Sequence, residues 1–288
     1  MTSNRVMIAA DGGELCVHVW AKPDAPRLIF AHANGFNGRT YRQFLEPLTT
    51  RYEVVAPDLR GHGLSTVAVN PDTHINWHTY ARDLCAVAAG FDERPLVLAG
   101  HSMGAVSAVL AAGRYGLEVE RIALIEPVIM PGFFYLAAHM PWGRAMMRQS
   151  PLYKGAIGRR SRWADRETAA ERYRHKRMFA DWAPGVLEDY LEDGLRPADD
   201  GLELSCSPQW EAANFAAHRH HVWGALKAIN APISVLKGSR RDSTVYVADA
   251  LRRQGVTVDT LDNAGHLALL SHPAASAEWL IAQTQRAV

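Results

Sequence analysis

The chain has no charge excess: 31 Lys and Arg stand against 30 Asp and Glu in 288 residues, a formal net charge of +1. A nucleic-acid binder usually shows a clear basic surplus, so the balance argues against that class. Cysteine is scarce. Cys16, Cys85 and Cys206 are far apart and odd in number, with no C-x-x-C pair, so neither a disulfide scaffold nor a zinc site is expected. Cys85 lies in an apolar helical stretch and reads as core. No apolar run is long enough to span a bilayer, and MTSNRVMIAADGGELC at the amino terminus has no signal-peptide core. A soluble cytoplasmic protein is the expectation. Repeats and low-complexity tracts are absent too. What the chain does have is 48% hydrophobic content, enough to bury a large core.

Short apolar runs alternate with helical patterns, the signature of a mainly parallel sheet with helices on both faces. Strands are predicted at 6–10, 14–21, 27–33, 53–59, 95–101, 121–127, 232–238 and 256–262. The first two, joined by Asp11-Gly12-Gly13, read as an antiparallel hairpin at the sheet edge. Helices are predicted at 40–50, 76–89, 103–115, 245–254 and 273–285. The alternation breaks between Pro131 and Pro208, where no convincing strand is visible. The expectation is a core domain of residues 1–130 and 209–288, with 131–208 as a helical cap, since a structureless loop of that length would be improbable.

One stretch carries chemistry. LVLAGHSMGA (96–105) reads as a buried strand ending in Gly100-His101-Ser102-Met103-Gly104 and followed by a helix, the sequence form of a nucleophile elbow. The turn is sharp enough that positions two before and two after the serine must lack side chains. A serine hydroxyl is a weak nucleophile, so it needs a base within hydrogen-bond reach and a third group to orient that base. Among thirteen histidines, His266 in DNAGHLALLSHP follows the last strand, where strand ends converge on one crevice. His101 is expected to point away and pack behind the serine, and His272 to cap the last helix. His218, His220 and His221 have no carboxylate or cysteine at ligand spacing, so a metal is not expected. Two carboxylates compete as the acid. Asp242, in KGSRRDST, is favoured; Glu126, ending the sixth strand in LIEPV, is the alternative. The oxyanion is expected to meet the backbone N–H of Met103 and that of Asn34 in AHANGFNGRT. Phe36 and His32 from the same loop are expected to line the substrate pocket.

AHANGF, PDLRGHGLS (57–65), AGHSMGA and NAGHLALLSHP stand in the order of the motifs of the α/β-hydrolase superfamily, which the chain resembles outside 131–208. The family's oxyanion loop usually has glycine where Ala33 stands. The resemblance implies Ser102 as nucleophile, His266 as base, and Asn34 and Met103 as oxyanion donors. The family's acid motif usually has aspartate three residues after glycine, whereas Gly238 and Asp242 are four apart. Glu126 matches an acid position that some members use, so both carboxylates stay open. Relatives that dehalogenate or open epoxides use aspartate as nucleophile, which Ser102 excludes. A serine hydrolase of a small-molecule carboxylic ester, lactone or thioester is the expected activity. A carbon–carbon bond hydrolase of ring-fission products is the alternative, although Leu267 stands where such enzymes often have an aromatic residue. A low-turnover small-molecule receptor on the same fold is a further alternative. No cofactor is implied, because the triad needs none and no dinucleotide or phosphate loop is visible; a homodimer stays open. Cap arginines such as Arg144, Arg148, Arg160, Arg172 and Arg177 could steer anions, or be solvated helix faces paired with neighbouring acids.

Overall fold

Two strands joined by a tight turn open the fold. β1 (Asn4–Ala10) and β2 (Gly13–Trp20) pair antiparallel from Asn4↔Val19 to Ala10↔Gly13, leaving Asp11 and Gly12 as the turn. The computed structural model describes residues 3–285; positions 1–2 and 286–288 of the expected core segments lie outside the described residues. Four further strands follow: β3 (Arg27–Ala31), β4 (Glu53–Pro57), β5 (Leu96–His101) and β6 (Arg121–Ile125). β3, β4 and β5 are buried along their whole length, as strands covered on both faces must be. Between them lie α1 (Arg42–Leu45), α2 (His78–Ala89) and α3 (Met103–Tyr115).

The segment after β6 carries α4 (Gly132–His139), α5 (Gly143–Met147), α6 (Pro151–Ile157), α7 (Arg166–Arg174), α8 (Val186–Gly194) and α9 (Pro208–Phe215). Ser150-Pro151 and Ser207-Pro208 start two of these helices: each serine hydroxyl accepts an amide of the first turn and each proline occupies the first helical position. The expectation of a wholly helical segment is corrected. β7 (Arg162–Trp163), β8 (Leu195–Ala198) and β9 (Gly201–Leu204) form a three-stranded antiparallel sheet in the order β7-β9-β8. These strands have at most four residues, too few for a period-two pattern to register.

The chain returns through α10 (Val222–Ala228), β10 (Ile233–Gly238), α11 (Ala248–Arg252), β11 (Thr257–Leu261), α12 (Ala268–Ser271) and α13 (Pro273–Gln285). All eight expected strands are present, in the order β1-β2-β4-β3-β5-β6-β10-β11. Only β2 runs antiparallel to its neighbours; the rest of the sheet is parallel. One face carries Trp77, Tyr80, Leu84 and α3, the other Phe44, Leu45 and Leu280, so helices cover both faces. Two predicted helices are shorter than expected. Residues 40–50 break into α1 flanked by 3-10 turns, with Pro47 removing the amide that would continue it, and only 248–252 of 245–254 are helical. Among the described residues no helix is long and apolar enough to cross a membrane.

Topology positions the site. β3 has β4 on one side and β5 on the other, so chain direction across the sheet reverses there and the loops after β3 and β5 diverge around a crevice. Ala31 is paired with Gly100, which brings the AHANGF loop beside the strand that ends at Ser102.

Candidate active site

β5 delivers Ser102 into an unusual backbone conformation, φ 56° and ψ −114°, between the strand and α3. A non-glycine residue holds positive φ only where its surroundings impose it. Here Ser102 N–H donates to the carbonyl of Ile125 on β6 (3.0 Å). The two flanking glycines have separate reasons. A Cβ on Gly100 would lie 2.6 Å from the carbonyl carbon of Gly104, while one on Gly104 would collide with the carbonyl oxygen of Ala31. The first permits the turn; the second lets α3 press on β3.

His266 enters from the loop after β11, and its Nε2 lies 3.1 Å from Ser102 Oγ. The Nδ1 edge faces Glu126 Oε2 at 3.4 Å and Thr244 Oγ1 at 3.0 Å. Glu126 is fully buried at the end of β6. Its carboxylate accepts the amides of Gly238 and Thr244 at 2.6 Å each, the Ser243 hydroxyl at 2.7 Å and the Thr244 hydroxyl at 3.1 Å. Burial pushes this carboxyl up, but the hydrogen bonds from His266 and from the two amides outweigh it and hold it down at about 2. An ionised acceptor fixes the ring: Nδ1 carries the proton and Nε2 is left to accept from the serine hydroxyl.

Asp242 does not reach the imidazole. Its side chain is 59% exposed and faces Arg240 at 3.5 Å, while Arg240 also binds Asp181 (2.5 Å). The expected contact of Asp242 with the imidazole is therefore not made; the carboxylate that faces the ring is Glu126, the alternative. The loop after β10 does serve the imidazole, but through Ser243 and Thr244, which hold Glu126. Thr244 went unremarked in the sequence, although it lies two residues beyond the favoured acid.

The AHANGF loop is pinned on both sides of Asn34. Ala33 N–H donates to Tyr41 Oη (3.2 Å) and Gly35 N–H to His62 Nε2 (3.1 Å). The Asn34 side chain is engaged elsewhere, donating to the Glu211 carbonyl (2.9 Å) and accepting from Asn214 (2.8 Å). The backbone amides of Asn34 and Met103 find no acceptor among the described residues. Met103 opens α3, whose dipole favours negative charge at that end.

His32 is corrected as a pocket residue. It is fully buried, with Nδ1–H donating to the Ala33 carbonyl (2.7 Å) and Nε2 accepting the Leu59 amide (2.8 Å). Burial pushes its pKa down to about 4, so the ring is a neutral bracket between two loops. Phe36 stands against the rings of Trp182 and Tyr190, 5.7 Å away in each case, where the loop meets the segment after β6. A cleft lined in part by Arg177, Met178, Trp182, Asp242, Gly265 and Leu267 opens beside the His266 loop.

Cys16, His18 and Asp58 form the one buried trio among the described residues with donor atoms at metal-ligand spacing. Asp58 already accepts the amides of Gly38 (2.7 Å) and Leu64 (2.8 Å), and burial pushes the Cys16 thiol up to about 12. That chemistry suits a packed turn better than a metal centre. His218 and His220 pack on Trp77, with ring centroids 5.1 and 4.8 Å from it.

A model of the alpha/beta hydrolase family matches residues 28–279. The chain is 30% identical over 235 residues to a 2-(acetamidomethylene)succinate hydrolase of Mesorhizobium japonicum, covering 79% of this chain and 76% of that protein. Over 230 residues it is 30% identical to an N-formylmaleamate deformylase of Pseudomonas putida, with 77% and 75% covered. The crystal structure of an E-2-(acetamidomethylene)succinate hydrolase superposes with a TM-score of 0.78 at 20% identity, covering 99% of this chain and 100% of the other. The chain belongs to the alpha/beta hydrolase family.

Proposed function

We propose that this protein hydrolyses an acyl bond of a small molecule through an acyl-enzyme on Ser102. The observation that carries the reading is one line of contacts: Ser102 Oγ at 3.1 Å from His266 Nε2, with the far side of that ring facing buried, ionised Glu126. Ser102 Oγ attacks the substrate carbonyl carbon while its proton passes to His266 Nε2. The oxyanion so formed is met by the amides of Met103 and Asn34. His266 then gives the proton to the leaving group, the carbon–leaving-group bond breaks, and the acyl group remains on Ser102. Water, deprotonated by His266, attacks the acyl-enzyme and releases the carboxylic acid and the serine. Glu126 stays ionised throughout and favours the imidazolium. Residues 131–208 act as the cap that selects the substrate; the contacts of Trp182 and Tyr190 with Phe36 support this division.

A carboxylic ester is the simplest substrate for this set. A second reading, an acyl amide of a small carboxylic acid, is favoured by the names of two relatives at 30% identity, a 2-(acetamidomethylene)succinate hydrolase and an N-formylmaleamate deformylase. A parallel screen of p-nitrophenyl esters, lactones and N-acyl amides tests both, with Ser102→Ala as control. Turnover that vanishes in the variant is expected. A binding protein without turnover would leave every substrate intact in both.

A further inference from the structure

Residues 127–164 contain no Asp or Glu but six Lys and Arg. Seven of the twelve exposed large hydrophobic side chains among the described residues fall between 133 and 157. On α4, Phe133 (74% exposed) and Leu136 (71%) stand at i and i+3 on one outward stripe, with exposed Met140 just past the helix end, while Tyr135 and Ala138 are buried on the inner face. Trp142 (52%) precedes α5, and Leu152 (63%) projects from α6. α5 abuts α4 closely, since a Cβ on Gly143 would collide with the Ala137 carbonyl. Apolar groups this large and this concentrated mark an interaction face on a water-soluble fold.

Some of the cations beside them are engaged and others are unpaired. Arg144 donates to the carbonyls of Pro71 and Asp72, and Arg159 is paired with Glu211. Arg148, Lys154 and Arg162 are exposed and form no ion pair among the described residues. Arg160 lies over the Trp163 ring at 4.4 Å. The following part of the chain is built differently. There Arg166 faces Glu192, Arg174 faces Glu167 and Glu188, and Arg196 faces Glu203. Ion pairs thus engage Arg166, Arg174 and Arg196, whereas Arg148 and Lys154 have none among the described residues.

We propose that the α4–α6 face docks on an anionic lipid surface, with Phe133, Leu136, Trp142 and Leu152 entering the headgroup boundary and Arg148 and Lys154 facing the phosphates. Aromatic and leucine side chains flanked by Lys and Arg are the composition that such an interface selects. A second copy of the chain fits less well. A two-fold contact would bring this face against itself, setting unpaired cations near cations with no carboxylate in residues 127–164 to answer them.

Co-sedimentation with vesicles, read together with tryptophan fluorescence, tests the proposal without depending on the reaction. The expected result is binding to phosphatidylcholine vesicles containing phosphatidylglycerol, weak binding to phosphatidylcholine alone, and loss of binding at high salt. Phe133→Ser with Leu136→Ser, and separately Arg148→Glu with Lys154→Glu, should each weaken binding at least about tenfold with the melting temperature unchanged. Equal or absent binding to both vesicle types overturns the proposal. So does a solution dimer that dissociates in the Phe133→Ser, Leu136→Ser variant, which would assign the face to self-association.

Discussion

His101 Nε2 lies 2.7 Å from the main-chain carbonyl oxygen of His266, so the residue before the elbow serine holds the loop that carries the facing imidazole. A carbonyl can only accept, hence Nε2 carries the proton and Nδ1 accepts from the Tyr41 hydroxyl (2.7 Å). Tyr41 Oη in turn accepts the Ala33 amide, so one chain of bonds ties the AHANGF loop to the His266 loop behind the serine. Burial, with the nearby His266 ring adding to it, pushes the pKa of His101 down to about 3, and the polarity of the chain does not change near neutrality. His101→Leu should lower kcat by about 10- to 100-fold with little change in KM, because the ring positions His266 without touching the substrate. Steady-state kinetics on the best substrate checks it; a change in KM alone would contradict the positioning role.

The two carboxylates separate cleanly in prediction. Glu126→Gln should reduce kcat by about 10³- to 10⁴-fold, since an uncharged partner no longer favours the correct tautomer or the imidazolium. Asp242→Asn should stay within about threefold, because it disturbs only an exposed ion pair. Melting curves on both variants distinguish loss of chemistry from loss of fold.

Thr244 gives a finer test. Its hydroxyl is 3.0 Å from His266 Nδ1 and 3.1 Å from Glu126 Oε2, so it can accept from the ring while donating to the carboxylate. Thr244→Val should lower kcat by about tenfold, and Thr244→Ser should restore it. Equal activity of the valine and serine variants would show that only the Glu126 contact orients the ring.

Acid stability follows from the buried histidines. Burial pushes His32, His74 and His218 down to about 4, and His62 and His101 to about 3. In the unfolded chain each would protonate near its ordinary value of ~6.5. The unfolded state therefore binds more protons below that pH, and stability falls as pH drops from ~6.5 towards the folded values. Each such histidine contributes a slope of about 1.4 kcal/mol per pH unit. Five together are steep enough to exhaust a typical stability of roughly 5–15 kcal/mol within one to three pH units. Urea midpoints measured between about pH 7.5 and 5 should decline sharply; a flat profile would mean that these rings find proton acceptors when charged.

How much of this was legible depended on whether the signal was local. Strand, turn and helix around Ser102 lie within about twenty consecutive residues, and the Gly100 and Gly104 spacing reflects collisions that any folded version must avoid. His266 was reachable by topology, since the loop after the last strand opens onto the same crevice. The acid was not. Glu126 follows β6 directly and Asp242 lies in the loop after β10, at strand ends that open onto the same crevice, and the choice turns on Asp242 facing Arg240 while Ser243 and Thr244 close over Glu126. The pocket assignment of His32 failed for a similar reason: its sequence neighbours are those of a site loop, but the Leu59 amide consumes its second nitrogen. The β7-β9-β8 sheet escaped notice because strands of two to four residues carry too little pattern.

If Ser102 is a nucleophile made reactive by His266, a fluorophosphonate will mark it, and intact-mass analysis followed by peptide mapping reads the adduct. A single adduct on Ser102, absent in Ser102→Ala and strongly slowed in His266→Ala, is the predicted result. A folded wild-type protein that takes up no label, or takes it up on another residue, contradicts the account.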